Sequence, residues 1–232
     1  QLDDIVLHLR DHLNSDGYFG DLFDGKVVNE QQVSGNSWYL RGLLEYYQIS
    51  HEEWCRELIE EVIHHFILRI APFYLHYPLI RREMGGVGGH IEGRVTDGWL
   101  TSSDVGCAFI MLDAMSEAYY ALREPELKTV LEQTIDVFLH LDFVGLQCQT
   151  HATLSCARGV MTFYRATNEQ KYLDAAKKIF DCYLSQGMTL DYSNFNWFGR
   201  PDTWTEPCCV VDSFLLAAQL EEITGDKRYL ML

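Results

Sequence analysis

Two stretches of this chain carry the same punctuation. Thr167 is followed, after four residues, by Tyr172-Leu173, and Thr224 in the same way by Tyr229-Leu230. Weaker versions follow Tyr47 (Gln-Ile-Ser-His-Glu-Glu-Trp) and Tyr120 (Ala-Leu-Arg-Glu-Pro-Glu-Leu). Each reads as a helix, a short turn bearing a cap-forming or acidic residue, and a second helix opening near a Tyr-Leu or Glu-Leu pair. Helical hairpins repeated at intervals of ~45–70 residues build a closed toroid or a solenoid.

The apolar spacing agrees. Nearly every long segment follows the helical period and convincing alternating strands are scarce. Helices are expected near residues 2–14, 34–48, 52–70, 102–122, 126–141, 150–166, 169–186 and 206–223. In the clearest, Leu173, Ala176, Ile179, Phe180 and Tyr183 share one face, and Lys177, Lys178 and Asp181 fall largely opposite. Segment 102–122 is apolar on more than one side (Val105, Phe109, Ile110, Met111, Leu112, Met115) and belongs on an inner layer. Charged outer helices alternating with apolar, small-residue-rich inner ones are what a double-layered α/α barrel requires. The irregular stretches 15–33, 71–101 and 187–204 then gather at one end, where a rigid scaffold carries a site. Glycine-rich 84–98 lacks the Lys-Ser/Thr of a phosphate-binding loop and reads as a flexible loop or short hairpin.

Composition narrows the function. At 47% hydrophobic and 22% charged, the chain buries a sizeable core, and it is treated as a single domain over 1–232. A net charge of −16 argues against nucleic acid or an anionic membrane as partner. No apolar run is long enough to span a bilayer and no export signal is visible, so a reducing, cytoplasmic setting is expected. Seven cysteines do not make a disulfide framework, and most lie inside amphipathic runs as buried thiols.

Trp197 to Cys209 is the stretch richest in chemistry. Trp197, Trp204, Glu206, Cys208 and Cys209 precede a long apolar helix pattern. A helix N-terminus favours negative charge and lowers a thiol's pKa. Glu206, Cys208 and Cys209 can thus supply a carboxylate and thiolates, or else be a first-turn acid and two core residues. Trp197 and Trp204 offer flat apolar faces for a ligand.

Three stretches resemble the family 127 glycoside hydrolases, the β-L-arabinofuranosidase group. Asp16-Gly17-Tyr18-Phe19 is similar to an Asp-Gly-Tyr-Leu element. His151-Ala152-Thr153 through Tyr164-Arg165-Ala166-Thr167 is similar to a His-Ala-Asn…Tyr-Glu-x-Thr-Gly helix. Phe198-Gly199-Arg200-Pro201-Asp202 with Thr205-Glu206-Pro207-Cys208 resembles Phe-Gly-x-Pro-Asp…Gly-Glu-Thr-Cys. The resemblance implies an all-α toroid, a six-hairpin glycosidase-like barrel of which this chain holds only part, and hydrolysis of a plant- or microbe-derived oligosaccharide. It also implies a zinc centre at Glu206 and Cys208, with Cys209 as the nearest second thiol. The family's downstream Cys-Cys pair has no counterpart up to Leu232. The place of its general acid holds Asn196 and Trp197, leaving Asp191 or Asp202 as nearby carboxylates. About eight helices fall short of the twelve of a closed barrel. The remaining hairpins come from a longer chain, or an open toroid pairs with another copy.

Other residues are expected at the barrel mouth. His151 opens a helix there and suits sugar contact or proton transfer, or else capping. Asp104 begins an inner helix as acid, base or first-turn residue. Trp38 with Arg41 forms a stacking platform or plain packing, and Asp16 and Tyr18 occupy a turn that reaches the same mouth. His64 and His65 belong to the surface. Glu206 with Asp104, or with Asp202, provides the two carboxylates of glycoside hydrolysis. The alternatives are a metal-free unsaturated-uronide hydrolase or sugar epimerase on the same scaffold, and a non-catalytic carbohydrate-binding domain.

Overall fold

The structure, a computed structural model, describes residues 5–6, 8–79 and 94–230, with Arg94 described by its backbone. Helices dominate it. α1 is Glu30–Ser50. α2 (Glu53–Glu61), a π-helical segment (Val62–Ile67) and α3 (Leu68–Tyr74) follow one another without a break. After them come α4 (Met111–Leu122), α5 (Pro125–Leu139), α6 (Thr150–Thr167), α7 (Gln170–Gln186) and α8 (Pro207–Thr224). Each matches an expected helix within a few residues, with one exception. The α4 region starts late, as a 3-10 turn over Cys107–Ile110, because Trp99–Thr101 is a strand. That strand, β3, lies between β1 (Val28–Asn29), parallel to it, and β2 (Arg94–Thr96), antiparallel to it. The described end of the glycine-rich stretch is therefore one arm of a short hairpin. Its remainder lies outside the described residues, as do four of the thirteen residues of the expected 2–14 helix; the described part of that segment is no continuous α-helix, and Leu9–His12 is a 3-10 turn.

The repeated punctuation has a physical basis. Inner helices α1, α4, α6 and α8 each end on a left-handed residue: His51, Arg123, Asn168 and Gly225. The N–H of each donates to the carbonyl four residues back, on Tyr47, Tyr119, Tyr164 and Glu221, which stops the helix and reverses the chain. The Thr167 hydroxyl donates to the Phe163 carbonyl at 2.9 Å and accepts from the Glu169 N–H at 3.4 Å. Thr224 repeats both bonds, to Leu220 at 2.7 Å and from Asp226 at 3.2 Å. Ser50 accepts from the Glu52 N–H in the first hairpin, so a hydroxyl there closes three of the four turns.

Two layers result. α1 packs on α4, α4 on α6 and α6 on α8, forming a curved inner wall, while α3, α5 and α7 pack behind it. The layers differ in burial as the sequence pattern requires. α7 buries Tyr172, Leu173, Ala175, Ala176, Ile179, Phe180 and Tyr183, one stripe, whereas α4 buries seven of its first eight residues. α4 and α6 approach so closely that a Cβ on Gly159 would sit 2.6 Å from the Asp113 backbone nitrogen. One hydrophobic core runs from Tyr18 to Leu220.

The wall also fixes where the loops go. Because the inner helices run alike, their N-termini and the loops before them share one end, the mouth. α8 closes the wall, and its outward face carries exposed Val211 and the 66% exposed Phe214. Phe214 borders a groove of about 260 Å³ that includes Phe180, Tyr192, Tyr229 and Leu230.

Candidate active site

Four inner helices bring four chemically able residues to the mouth: Glu30 on α1, Asp104 ahead of α4, His151 on α6 and Glu206 at the N-cap of α8. Local sequence places each one. The Asn29 side chain caps α1 by accepting from the Gln31 and Gln32 N–H groups, which sets Glu30 in its first turn. Pro207 starts α8 at N1, where the missing N–H costs nothing, and leaves Glu206 at the rim. The Asp104 carbonyl accepts from the Cys107 N–H at 2.9 Å as the chain turns into α4.

The electrostatics separate these acids. Burial raises the Asp104 carboxyl above its ordinary value, and the charges of Glu206 and Glu30 raise it further, against His151. The charges of Glu206, Glu30 and His151 are thus all felt at Asp104. Glu206 accepts from the Gln149 side-chain amide at 3.3 Å. Glu30 is fully buried, accepting from the Tyr77 hydroxyl and the Ser102 N–H. Its place at a helix start equivalent to Glu206 was the signal that could have marked it.

Behind the mouth lies a polar chain that sequence reasoning missed. The His151 Nδ1 is 2.6 Å from an Asp212 carboxylate oxygen, which also accepts from the Ser155 hydroxyl at 2.9 Å. Arg158 donates to the other Asp212 oxygen at 2.7 Å and lies 3.8 Å from Asp113, which Arg41 meets at 3.2 Å. The Arg41 guanidinium sits 4.6 Å over the Trp38 ring, and Trp38 stacks on His151 with centroids 5.9 Å apart and planes at 15°. The six side chains thus close a ring across all four inner helices. Burial raises Asp113 despite Arg158 and Arg41, whereas at Asp212 the bonds and charges of His151 and Arg158 overcome burial and hold the carboxyl low. Lone aspartates within the apolar runs of α4 and α8 were the available signal, since a buried charge demands partners.

The remaining expected residues divide. Trp38 (46% exposed) and Trp204 (53% exposed) offer open indole surface, while buried Trp197 meets Trp204 edge-on at 5.0 Å. Asn196 is buried too, its backbone tying the loop to Thr150 and Thr203. Tyr18, expected in the mouth, is a core residue stacked on Phe66, its hydroxyl accepting from the Phe23 N–H. Asp16 lies on the outer rim, ion-paired with Arg69 at 3.1 Å. Asp202 is bound by Arg200 and Asp191 by Thr189, contacts that hold both carboxyls low, the wrong direction for a general acid. His64 and His65 are exposed, as expected.

The cysteine pair splits between two faces. The Cys208 thiol hydrogen-bonds Glu206, and burial with that carboxylate pushes it up to about 12. Cys209 is fully buried, and burial, Asp212 and Glu206 raise it in turn. Neither is a ready thiolate, the reverse of the expectation from a helix N-terminus, because desolvation and nearby carboxylates outweigh the helix end. Among the described residues no three His, Cys, Asp or Glu side chains are placed to hold a metal ion. Glu206, Cys208 and Cys209 do not by themselves fit a zinc site.

With this geometry in place, the class of fold is plain: the chain is an α/α toroid. No family model and no curated protein matches it in sequence. In structure it is similar to an inactive variant of an α-1,6-mannanase of glycoside hydrolase family 76 from Salegentibacter sp. HEL1_6, in complex with α-1,6-mannotetrose. The TM-score is 0.67 at 14% identity, over 99% of this chain and 67% of the mannanase. It is similar to the cellobiose 2-epimerase of Bacillus thermoamylovorans B4167 (TM-score 0.61, 14% identity, 86% of this chain and 57% of that one). A D-mannose isomerase matches with a TM-score of 0.50 at 14% identity, over 99% of this chain and 83% of its own. At such identities the likeness is one of fold. No helix among the described residues is long and apolar enough to cross a membrane.

Proposed function

We propose that this chain is a carbohydrate-active enzyme, a glycoside hydrolase, with Asp104 as proton donor and Glu206 as the facing carboxylate. One observation carries this reading: Asp104 and Glu206 both stand at the N-terminal ends of inner helices, and burial together with the charge of Glu206 raises the Asp104 carboxyl. A carboxyl raised by burial, paired with a second carboxylate, is what glycosidic cleavage uses. Asp104 gives its proton to the glycosidic oxygen as the bond to the anomeric carbon breaks, Glu206 opposes the positive charge developing on the sugar, and a water adds its oxygen to that carbon while its proton restores the acid. Trp204 provides an apolar face for a sugar ring, and the acidic mouth favours a neutral oligosaccharide over an anionic one. The fold neighbours support a carbohydrate substrate, and the sequence likeness to family 127 points to arabinosides. The mannanase variants are inactive with two adjacent aspartates replaced. Here the adjacent aspartate pair is Asp3-Asp4, outside the described residues, which sets the Asp104–Glu206 pair apart from that arrangement.

A second reading rests on His151, whose backing by Asp212 suits proton transfer at a sugar carbon, as in an epimerase or isomerase. Product analysis on neutral oligosaccharides in deuterated water tests both. Cleavage, lost in Asp104→Asn and Glu206→Gln by about 10²–10⁴-fold, supports hydrolysis. Carbon-bound deuterium without cleavage supports the second reading, and sugar binding without turnover refutes both. The zinc–cysteine alternative would use Glu206 and Cys208 with further donors from outside the described residues.

A further inference from the structure

We infer that Asp212 is a positioning residue that fixes the tautomer of His151, holding the proton on Nδ1 and leaving Nε2 as the nitrogen available at the mouth. The argument is one of donors and acceptors. Asp212 is an ionised carboxylate and can only accept. Its two oxygens take three bonds, from His151 and Ser155 on one and from Arg158 on the other. Nδ1, at 2.6 Å, must therefore be the donor. In the neutral imidazole one nitrogen carries the hydrogen and the other accepts, so Nε2 is the lone-pair nitrogen. Among the described residues no side chain or backbone group bonds to Nε2.

The surroundings remove the other ways out. Trp38 lies parallel to the imidazole and limits its tilt, and Arg41 covers Trp38. Asp113 holds Arg41 and approaches Arg158, so the group that fixes the stacking ring and the group that fixes Asp212 share one buried carboxylate. His151 is thus set in both tautomer and orientation by contacts on α1, α4 and α8. The tautomer follows from this geometry alone; its use in proton transfer, and so its effect on turnover, rests on the second reading above, in which His151 moves a proton at a sugar carbon.

Asp212→Asn makes the inference testable because its geometry dictates a reversal. The charged Arg158 donors retain the amide oxygen, which turns the amide NH2 toward His151 and Ser155. Nδ1 must then accept, and the hydrogen moves to Nε2. Long-range proton–nitrogen NMR on histidine-labelled protein, at a pH where the ring is neutral, reads this directly, with His151→Gln identifying the signals. The expected result is an Nδ1–H imidazole in the unaltered chain and an Nε2–H imidazole in Asp212→Asn. A His151 already Nε2–H in the unaltered chain overturns the inference, as does an unchanged tautomer in a folded Asp212→Asn. Should that variant fail to fold, the unaltered chain still decides. In turnover, kcat falls by about 10²–10⁴-fold in Asp212→Asn with KM little changed, the signature of a wrong tautomer rather than lost binding. If no sugar is turned over while the tautomers behave as stated, the proposed function fails and the positioning role stands.

Discussion

Glu117 allows a stability prediction with a definite sign. It lies on α4 one turn beyond Asp113, and one of its carboxylate oxygens is buried without a hydrogen-bond partner. Burial, followed by the charge of Asp113, raises its pKa from 4.5 to about 7, against the pull of Arg41. A carboxyl raised in the folded state binds its proton more tightly there than in the unfolded chain. Its contribution is therefore most favourable below the unfolded value and is lost as pH rises through about 7. At 1.36 kcal/mol per unit, this rise amounts to about 3 kcal/mol as an upper figure. Glu117→Gln removes the titration and keeps the shape. Urea unfolding at about pH 5 and about pH 8.5 should show the variant gaining about 1–3 kcal/mol on the unaltered chain at the higher pH and little at the lower. Asp104 titrates in both proteins, so the difference between them reports Glu117 together with its coupling to Asp113. A variant no more stable at pH 8.5, or equally shifted at both, refutes the reasoning.

Other outcomes follow from single contacts. Gly159→Ala should destabilise by about 1–3 kcal/mol although alanine is the better helix former, because the new Cβ meets the Asp113 backbone at 2.6 Å; unfolding midpoints check it, and a gain in stability would show that α4 and α6 separate easily. Arg158→Met leaves Asp113 and Asp212 facing each other without their shared cation. A loss of about 3–5 kcal/mol at neutral pH is expected, shrinking in acid as the carboxylates protonate. Leu216→Ala should cost about 2–5 kcal/mol, whereas Phe214→Ala should stay within about 0.5 kcal/mol. Equal costs would mean that the outer face of α8 is covered in solution, by further hairpins or by a second copy. Prolonged chelation should leave turnover intact. Loss of activity restored by zinc alone would favour the zinc alternative at Glu206 and Cys208.

Most of the fold was legible because helical punctuation is local. A left-handed stop at Asn168 or Gly225, with a threonine hydroxyl bridging the turn, involves only residues within a few positions of one another. The stripe on α7 was equally direct, and the buried face is the one its spacing predicts. The sheet was not legible. β1 pairs with β3 across some seventy residues of chain, Val28 against Trp99, and two- or three-residue strands carry no alternation to detect. Strand pairing of Leu100 and Thr101 then delays the helix that apolar spacing alone would begin at residue 102.

The site divides along the same line. Asp104, His151 and Glu206 are legible as helix starts, and a toroid gathers helix starts at one end. Tyr18, on a loop, and Cys209, in the first turn of α8, read as mouth residues yet are buried in the core, since the direction of a side chain depends on packing that the sequence pattern does not contain. Asp212 is the instructive omission. A single carboxylate in Val210-Val211-Asp212-Ser213-Phe214 is costly unless paired, so its presence alone announced a buried partner. What the pattern could not say was which one. The partner lies on α6, 61 residues earlier, and reaches Asp212 because α6 and α8 are neighbours in the wall. The same placement explains why the polar ring sits where it does. Asp113 and Arg158 lie where α4 and α6 pack tightly, and Asp212 links that contact to His151. Displacing Arg158 takes the shared cation from both Asp113 and Asp212, so the rigidity of the histidine and the stability of the wall share the same contacts.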